Sequence, residues 1–262
     1  MTGTRKSFEA AHGSPVCQRP AITQNDLEPN DPELYERLAD QWWRPRGAFV
    51  MLHWLAAARA QLVPPPRPGA VLVDLGCGAG LLAPHVSGYH HIGVDFSQEA
   101  LRQARERGVR AIRGDVLAVP LPDGCADVVV AGEILEHVTD LSAAVAEACR
   151  LLRPGGLLVL DTLADTAVCR LVAVQLAERL GLAPRGVHDP ALFVDRARLV
   201  RECAAHGVRL ALRGIRPSLP DLLAWSLRRG QTVRMVPTAS TAVLFQGAGR
   251  KKGMTCGPAR SR

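Results

Sequence analysis

The chain reads as an α/β protein built on a doubly wound, mostly parallel, seven-stranded sheet, and three observations predict it. Val71-Leu72-Val73-Asp74-Leu75 has the near-continuous apolar pattern of a buried strand and runs straight into glycines at 76, 78 and 80. His91-Ile92-Gly93-Val94-Asp95 gives a second apolar strand about twenty residues on, this one ending in a carboxylate. Strand-like and helical stretches then alternate as far as Asp161, which calls for parallel strands joined by right-handed crossovers.

Taken in order, residues 1–29 carry Gly, Ser, Pro and Asn without periodicity and are expected to be a disordered extension. Asp31-Pro32 can cap a helix, and Leu34, Tyr35, Leu38 and Ala39 mark its apolar face. Trp42-Trp43 follows, then a second helix over Phe49 to Leu62 and the stiff Val63-Pro64-Pro65-Pro66-Arg67-Pro68-Gly69 linker. These residues, 30–69, form a helical cap that the tryptophan pair would clamp to the mouth of the site. Strands are expected at 70–75, 90–95, 109–113, 126–131 and 156–161, with helices at about 79–87, 97–107 and 141–152. An insertion at about 163–192 carries a stripe of Val168, Leu171, Val172, Leu176 and Leu180, read first as a core-facing helix and alternatively as a lid or membrane-surface helix. A helix from Asp195 to His206 and strands at about 207–214 and 241–246 complete a domain spanning 30–247, and the basic, glycine-rich 248–262 is expected to be a disordered tail.

Composition narrows the function. At 262 residues and 47% hydrophobic content, the chain is long enough for one domain with an ordinary core. No run of eighteen uncharged apolar residues is present, and Arg5-Lys6 is not followed by an apolar block. Neither a membrane span nor a secretory leader is therefore expected. Seven cysteines without a Cys-x-x-Cys pair fit reduced thiols in a cytoplasmic protein. The net charge of +7 invites an anionic partner. No basic stretch is interleaved with aromatics, which disfavours nucleic acid; a peripheral contact with the inner face of a membrane fits as well, and solvated surface charge is the plainest reading.

The loop after the first strand carries the chemistry. Alternate glycines let a ligand lie against bare backbone, and a helix N-terminus beyond would offer unpaired N–H groups. The spacing is Gly-x-Gly-x-Gly after Asp74, not the Gly-x-Gly-x-x-Gly of a dinucleotide site. It resembles motif one of class I S-adenosylmethionine-dependent methyltransferases, whose fold is a Rossmann-like sheet and whose cofactor is S-adenosyl-L-methionine. That resemblance makes Asp74, Gly76, Gly78 and Gly80 candidate cofactor contacts.

Within the class, several segments resemble the demethylubiquinol O-methyltransferase and polyprenyl-hydroxyphenol methylase family. They are Trp42-Trp43-Arg44-Pro45-Arg46-Gly47-Ala48-Phe49, Arg59, Glu133-Ile134-Leu135-Glu136-His137-Val138, and Pro184-Arg185-Gly186-Val187-His188-Asp189 with Phe193. The resemblance implies that Arg59, Gly76, Asp95 and Gly132 contact the cofactor, with Asp95 on the ribose and Asp115 and Val116 by the adenine. It also implies a divalent cation such as Mg2+, with Glu133, Glu136 and His137 at the ligand positions. Two carboxylates suit such an ion, whereas histidine is an unusual partner for it. His137 suits the role of a general base equally well, and a structural reading has Glu136 capping the next turn. The catalytic candidates are accordingly His137, Glu136 and His188. Two departures stand out: Ala56-Ala57-Ala58 replaces the family's Asn-Pro pair, and Arg216-Pro217-Ser218-Leu219 replaces its Tyr-Asn-Pro.

The expected activity is methyl transfer to the oxygen of a phenol, catechol or quinol-like small molecule. A nucleic-acid methyltransferase is one rival, disfavoured because Gly132-Glu133-Ile134-Leu135 stands where an Asp/Asn-Pro-Pro-aromatic motif would be needed. A cofactor-binding regulatory protein without catalysis is the other. The sequence is silent on oligomeric state.

Overall fold

The structure is a computed structural model that describes residues 30–31, 33–179, 183–184 and 186–253, without the side chains of 174–176. The expected disordered extension and most of the expected tail lie outside these residues, as do Pro32, Leu180 and Arg185.

The chain begins with a short helix α1 (Glu33–Arg37) and a longer α2 (Val50–Ala60). It then alternates β1 (Val71–Leu75), β2 (His90–Asp95), α3 (Gln98–Glu106), β3 (Arg110–Arg113), β4 (Ala126–Gly132), α4 (Leu141–Leu151) and β5 (Leu152–Leu163). The insertion opens with α5 (Ala167–Cys169), which passes into a π-helical turn over Arg170–Ala177. The final elements are α6 (Arg196–Ala205), β6 (Val208–Pro217), α7 (Leu219–Ser226), β7 (Met235–Thr238) and β8 (Leu244–Lys251).

One sheet of eight strands runs β3-β2-β1-β4-β5-β8-β6-β7. Strands β1 to β5 pair in parallel, and β8 is antiparallel between β5 and β6. Side chains alternate between two apolar layers. Val73, Leu75, Val129, Ala131, Leu158 and Leu160 face α4 and α6, whereas Leu72, Val128, Val130, Leu157 and Val159 face Leu82, Val86 and the end of α2. Burial on both faces explains why these strands read as continuous apolar runs. Helices α3, α4 and α6 start where a side-chain oxygen accepts a free backbone N–H: Ser97 from Ala100 (3.2 Å), Asp140 from Ala143 (3.0 Å) and Asp195 from Arg198 (2.7 Å).

The α/β class, the mostly parallel sheet and the order of its elements match the sequence reading. Three details are corrected. No regular helix spans 79–87: the chain makes successive tight turns, Gly80 N to Cys77 O, Ala83 N to Gly80 O and His85 N to Leu82 O, with only a 3-10 turn at Ala83–His85. Left-handed glycines at 78 and 80 and the missing N–H of Pro84 prevent more. The sheet gains an eighth strand, β7, because Met235 and Val233 are buried in the cluster beneath α2 and α7 while the backbone pairs with β6. The last strand runs on to Lys251, past the expected start of the tail, since Ala248–Arg250 pair with β5 on one side and β6 on the other.

That central position demands glycine. A Cβ at Gly249 would stand 2.6 Å from the carbonyl oxygen of Arg209 and 3.0 Å from the Cα of Leu210. Gly249→Ala is expected to destabilise the fold by about 1–3 kcal/mol by forcing β6 from β8, whereas Gly253→Ala, with nothing within 4 Å, leaves the urea midpoint in place; equilibrium unfolding of both variants checks this.

Candidate active site

A cavity of about 500 Å3 opens at the carboxyl ends of β1, β2 and β4, where ligands of such sheets bind. Its floor is the loop after β1 with Asp95, Asp115, Val116 and Gly132. Its roof comes from Asn30, Tyr35, Trp42 and Phe49 of the N-terminal cap and from Ala183, Val187 and His188 of the insertion.

The loop is shaped by left-handed backbone at Gly76 (φ +68) and Gly78 (φ +50) and by amides of Gly76 and Cys77 that share the carbonyl of Val94 at 2.8 and 3.1 Å. Trp42 lies on this loop so closely that a Cβ at Gly78 would meet its ring at 2.7 Å. Trp42 in turn stacks on Phe49 with centroids 4.0 Å apart, and Trp43 donates Nε1–H to Ala79 O at 3.2 Å. Asp95 accepts the N–H of Gly78 at 2.8 Å on one oxygen and that of Ser97 at 2.9 Å on the other. Burial raises its carboxyl and these hydrogen bonds pull it back. Each oxygen keeps a second lone pair for a ligand hydroxyl. Asp74 is buried on β1, with Nε2 of the buried His91 at 3.4 Å. Asp115 is exposed and accepts the N–H of Leu117 at 2.8 Å.

Arg59, from the last turn of α2, is held by Asp161 at the end of β5. Nε and Nη2 donate to the two carboxylate oxygens at 2.9 and 2.8 Å, and neither side chain is exposed above 8%. Burial works to lower the guanidinium, and Asp161 outweighs it. The remaining nitrogen, Nη1, lies beside Gly132, where a Cβ would come within 2.1 Å.

The stretch after β4 divides between cavity and core. Glu133 sits in left-handed backbone (φ 50), with its N–H on the carbonyl of Asp161 at 2.9 Å. Burial first, then the charges of Glu136 and Asp161, raise its carboxyl well above the usual range. Glu136 has no exposed surface and accepts the hydroxyl of Thr162 at 2.6 Å; burial raises it too, against that hydrogen bond. His137 closes a 3-10 turn (Leu135–His137). Its Nδ1 is 2.6 Å from Asn30 Oδ1, and the hydroxyl of Tyr35 is 3.3 Å from its Nε2. Desolvation, then the neighbouring His188, pushes the imidazole down to about 3. The rings of His137 and His188 stack with centroids 5.9 Å apart, and Nδ1 of His188 lies 3.6 Å from Glu178 Oε1.

Of the expected contacts, Arg59, Asp74, Gly76, Gly78, Asp95, Asp115, Val116 and Gly132 line the cavity, as do Glu133, His137 and His188. Two expectations are corrected. Gly80 faces Ala104 and Val109, packing α3 against the sheet, and does not line the cavity. Glu136 points into the sheet edge at Thr162 and does not line it either. Glu133, Glu136 and His137 do not fit the implied metal: both nitrogens of His137 are taken by Asn30 and Tyr35, and one oxygen of Glu136 by Thr162. Among the described residues no three His, Cys, Asp or Glu side chains are placed to hold a metal ion. The site residues that the sequence reading did not assign are Asn30, Tyr35, which it placed only on an apolar helix face, and Asp161, which it placed only at the end of a strand. Asp161 had a legible signal, an acid closing an apolar strand like Asp74 and Asp95; Asn30 had none.

Comparison with known proteins agrees with this geometry. The profile of the "Methyltransferase domain" family matches residues 73–160. The ubiquinone biosynthesis O-methyltransferase of Ralstonia nicotianae is 35% identical over 207 residues, covering 74% of this chain and 87% of that protein. The protein of the same name from Thiobacillus denitrificans is 37% identical over 187 residues, covering 66% and 80%. Among solved structures, an S-adenosylmethionine-dependent methyltransferase from Thermotoga maritima superposes with a TM-score of 0.60 at 21% identity, covering 84% of this chain and 99% of that one.

Asp161→Ala strands the Arg59 charge in a dry site and is expected to cost about 3–5 kcal/mol, read by urea unfolding. His137 supplies a pH test. Its folded value lies below the ordinary one, at about 3, so the unfolded chain binds the extra proton, and stability from this group falls as pH drops from about 6.5 towards the folded value. His137→Asn is expected to remove up to one proton's slope, about 1.4 kcal/mol per pH unit, from the difference between wild-type and variant stability over that window.

Proposed function

The chain belongs to the class I S-adenosylmethionine-dependent methyltransferases, and on that premise we propose that it methylates the hydroxyl oxygen of an apolar phenol, catechol or quinol-like small molecule. The observation that carries the reading is a largely apolar cavity at the carboxyl edge of the sheet, with the glycine loop and Asp95 as its floor and His137 and His188 in its wall. Exclusion of water from such a cavity leaves the substrate oxygen as the nucleophile.

S-adenosylmethionine, when bound, supplies a methyl group already activated on a sulfonium. The chain's own part is to hold and orient. Asp95 would take the ribose hydroxyls, Asp115 and Val116 would flank the adenine, and Gly76, Gly78 and Gly132 would let the backbone approach. Arg59 Nη1 offers a donor at the far wall. Asp74 and Asp95 line the cavity while the charge of Arg59 is already met by Asp161; two acids at the floor favour a cationic donor over its neutral product. The roof gives the acceptor an apolar face at Met51, Leu52, Ala183 and Val187. The ubiquinone-pathway relatives support a quinol-type acceptor. Ala56, one of the residues that depart from the family pattern, lines the cavity, so the acceptor is assigned by class.

A contact with a membrane surface fits the outer face of the same region. Val168 and Leu171 are 53% and 56% exposed on α5 and the turn that continues it, and Leu219, Leu223 and Leu227 are 65%, 60% and 55% exposed in and just after α7. Arg228 and Arg229 are exposed immediately beyond, giving the apolar-plus-basic character of an interfacial helix. No helix of the described residues is long and apolar enough to cross a membrane.

Radiolabel transfer from the methyl donor to a phenol panel and to RNA tests the reading, with label expected on phenolic oxygen. Asp95→Ala is expected to weaken donor binding at least tenfold by calorimetry. His137→Ala is expected to lower turnover about 10²-fold with donor affinity nearly intact. Label on RNA alone, or on no acceptor while the donor still binds, overturns the assignment.

A further inference from the structure

Asp161 belongs to a rung of residues that crosses four strands. Gly132 on β4 pairs with Asp161 on β5, Asp161 with Gln246 on β8, and Gln246 with Arg213 on β6. Partners in register share one face of a sheet. Nε and Nη2 of Arg213 donate to Gln246 Oε1 at 3.2 and 2.9 Å, and Gln246 Nε2 donates to Asp161 Oδ2 at 3.5 Å. A guanidinium only donates, so the amide oxygen must face Arg213, and the amide nitrogen is left to face the carboxylate. Arg59 then donates to both oxygens of Asp161 and lays Nη1 beside Gly132, at the cavity end of the rung.

Neither Asp161 nor Gln246 has any exposed surface. A buried amide costs free energy unless its groups are bonded, and both ends of this one are bonded along the rung. The bidentate bond fixes Arg59 relative to Asp161 but leaves the carboxylate free to turn about its own side-chain bonds. Gln246 ties one of its oxygens to the neighbouring strand, and Arg213 keeps the amide from flipping. Nη1 is the guanidinium nitrogen that Asp161 does not use. Among the described residues Arg59 is the one arginine or lysine that lines the cavity. S-adenosylmethionine carries one anionic group, the carboxylate of its amino-acid end, and a charge-assisted bond to Nη1 would meet it.

We propose that Gln246 is a positioning residue for the methyl donor: backed by Arg213, it holds Asp161 so that Arg59 presents Nη1 to the donor's carboxylate. The ribose end has its own support at Asp95, which is fixed by the amides of Gly78 and Ser97, so the rung acts on the amino-acid end alone. The assignment rests on the donor placement proposed above, with the ribose at Asp95, and is independent of which acceptor is methylated.

Calorimetry on the full chain with two ligands tests it: S-adenosylhomocysteine, the demethylated donor, and S-adenosylthiopropylamine, the same molecule without its carboxylate. In the wild-type protein the carboxylate is expected to improve affinity by about tenfold or more. Gln246→Met, close in size but unable to donate to Asp161, is expected to weaken S-adenosylhomocysteine about fivefold and to leave the decarboxylated ligand within about twofold. Arg213→Met, at an exposed position, is expected to move the ratio of the two affinities the same way by a smaller factor. Arg213→Lys, which keeps a donor for Oε1, is expected to restore it. A merely structural role for Gln246 would weaken both ligands together or neither, and either result overturns the proposal. Should Gln246→Met not fold, the ratio in Arg213→Met decides by the same rule. A wild-type protein that binds the two ligands equally does not hold the carboxylate at Arg59, and the donor placement then fails together with the rung. A wild-type preference for S-adenosylhomocysteine that both variants keep in full overturns the rung alone.

Discussion

The site is organised around one ion pair closed off from water, Arg59 with Asp161. Removing two charges from water is costly, and only a bidentate geometry with well-aligned hydrogen bonds offsets it. That requirement propagates. It fixes the last turn of α2 against the carboxyl end of β5, joining elements 102 residues apart. It empties the side-chain position at 132, because the guanidinium occupies the space a Cβ would need. It also carries Glu133, whose amide hangs on the backbone of the same Asp161.

Much of the floor was legible in the sequence because its signals are local. Apolar runs marked β1, β2 and β4, and a carboxylate closing a strand marked Asp74 and Asp95. The same rule applied to β5 would have found Asp161. The helix expected over 79–87 failed for a local reason as well, since left-handed glycines and a proline outweigh the apolar spacing of Leu81 and Leu82. The roof was harder to read. Asn30 lies in a stretch without periodicity, and its place in the roof arises from contact with residues 137 and 186, which no pattern in its neighbourhood encodes.

The Glu-x-x-Glu-His stretch shows why spacing is an incomplete guide. Left-handed backbone at Glu133 and a 3-10 turn after it send neighbouring side chains to different surroundings: Glu133 and His137 to the cavity, Glu136 to Thr162. The residues that the family resemblance implied as one ligand set instead answer to separate partners. Their ionisation follows from this division, with the acids raised and the imidazole lowered, all chiefly by desolvation.

The two-part construction of the cavity has a consequence for how such a protein changes. Its floor is assembled from neighbouring strand-end loops, whereas its roof comes from residues 30–52 and 183–188, far apart along the chain. On the proposed reading, in which the floor holds the methyl donor and the roof faces the acceptor, exchange of the peripheral segments would rewrite substrate preference and leave the donor site with the sheet. Similarity in the central strands then says little about which molecule receives the methyl group.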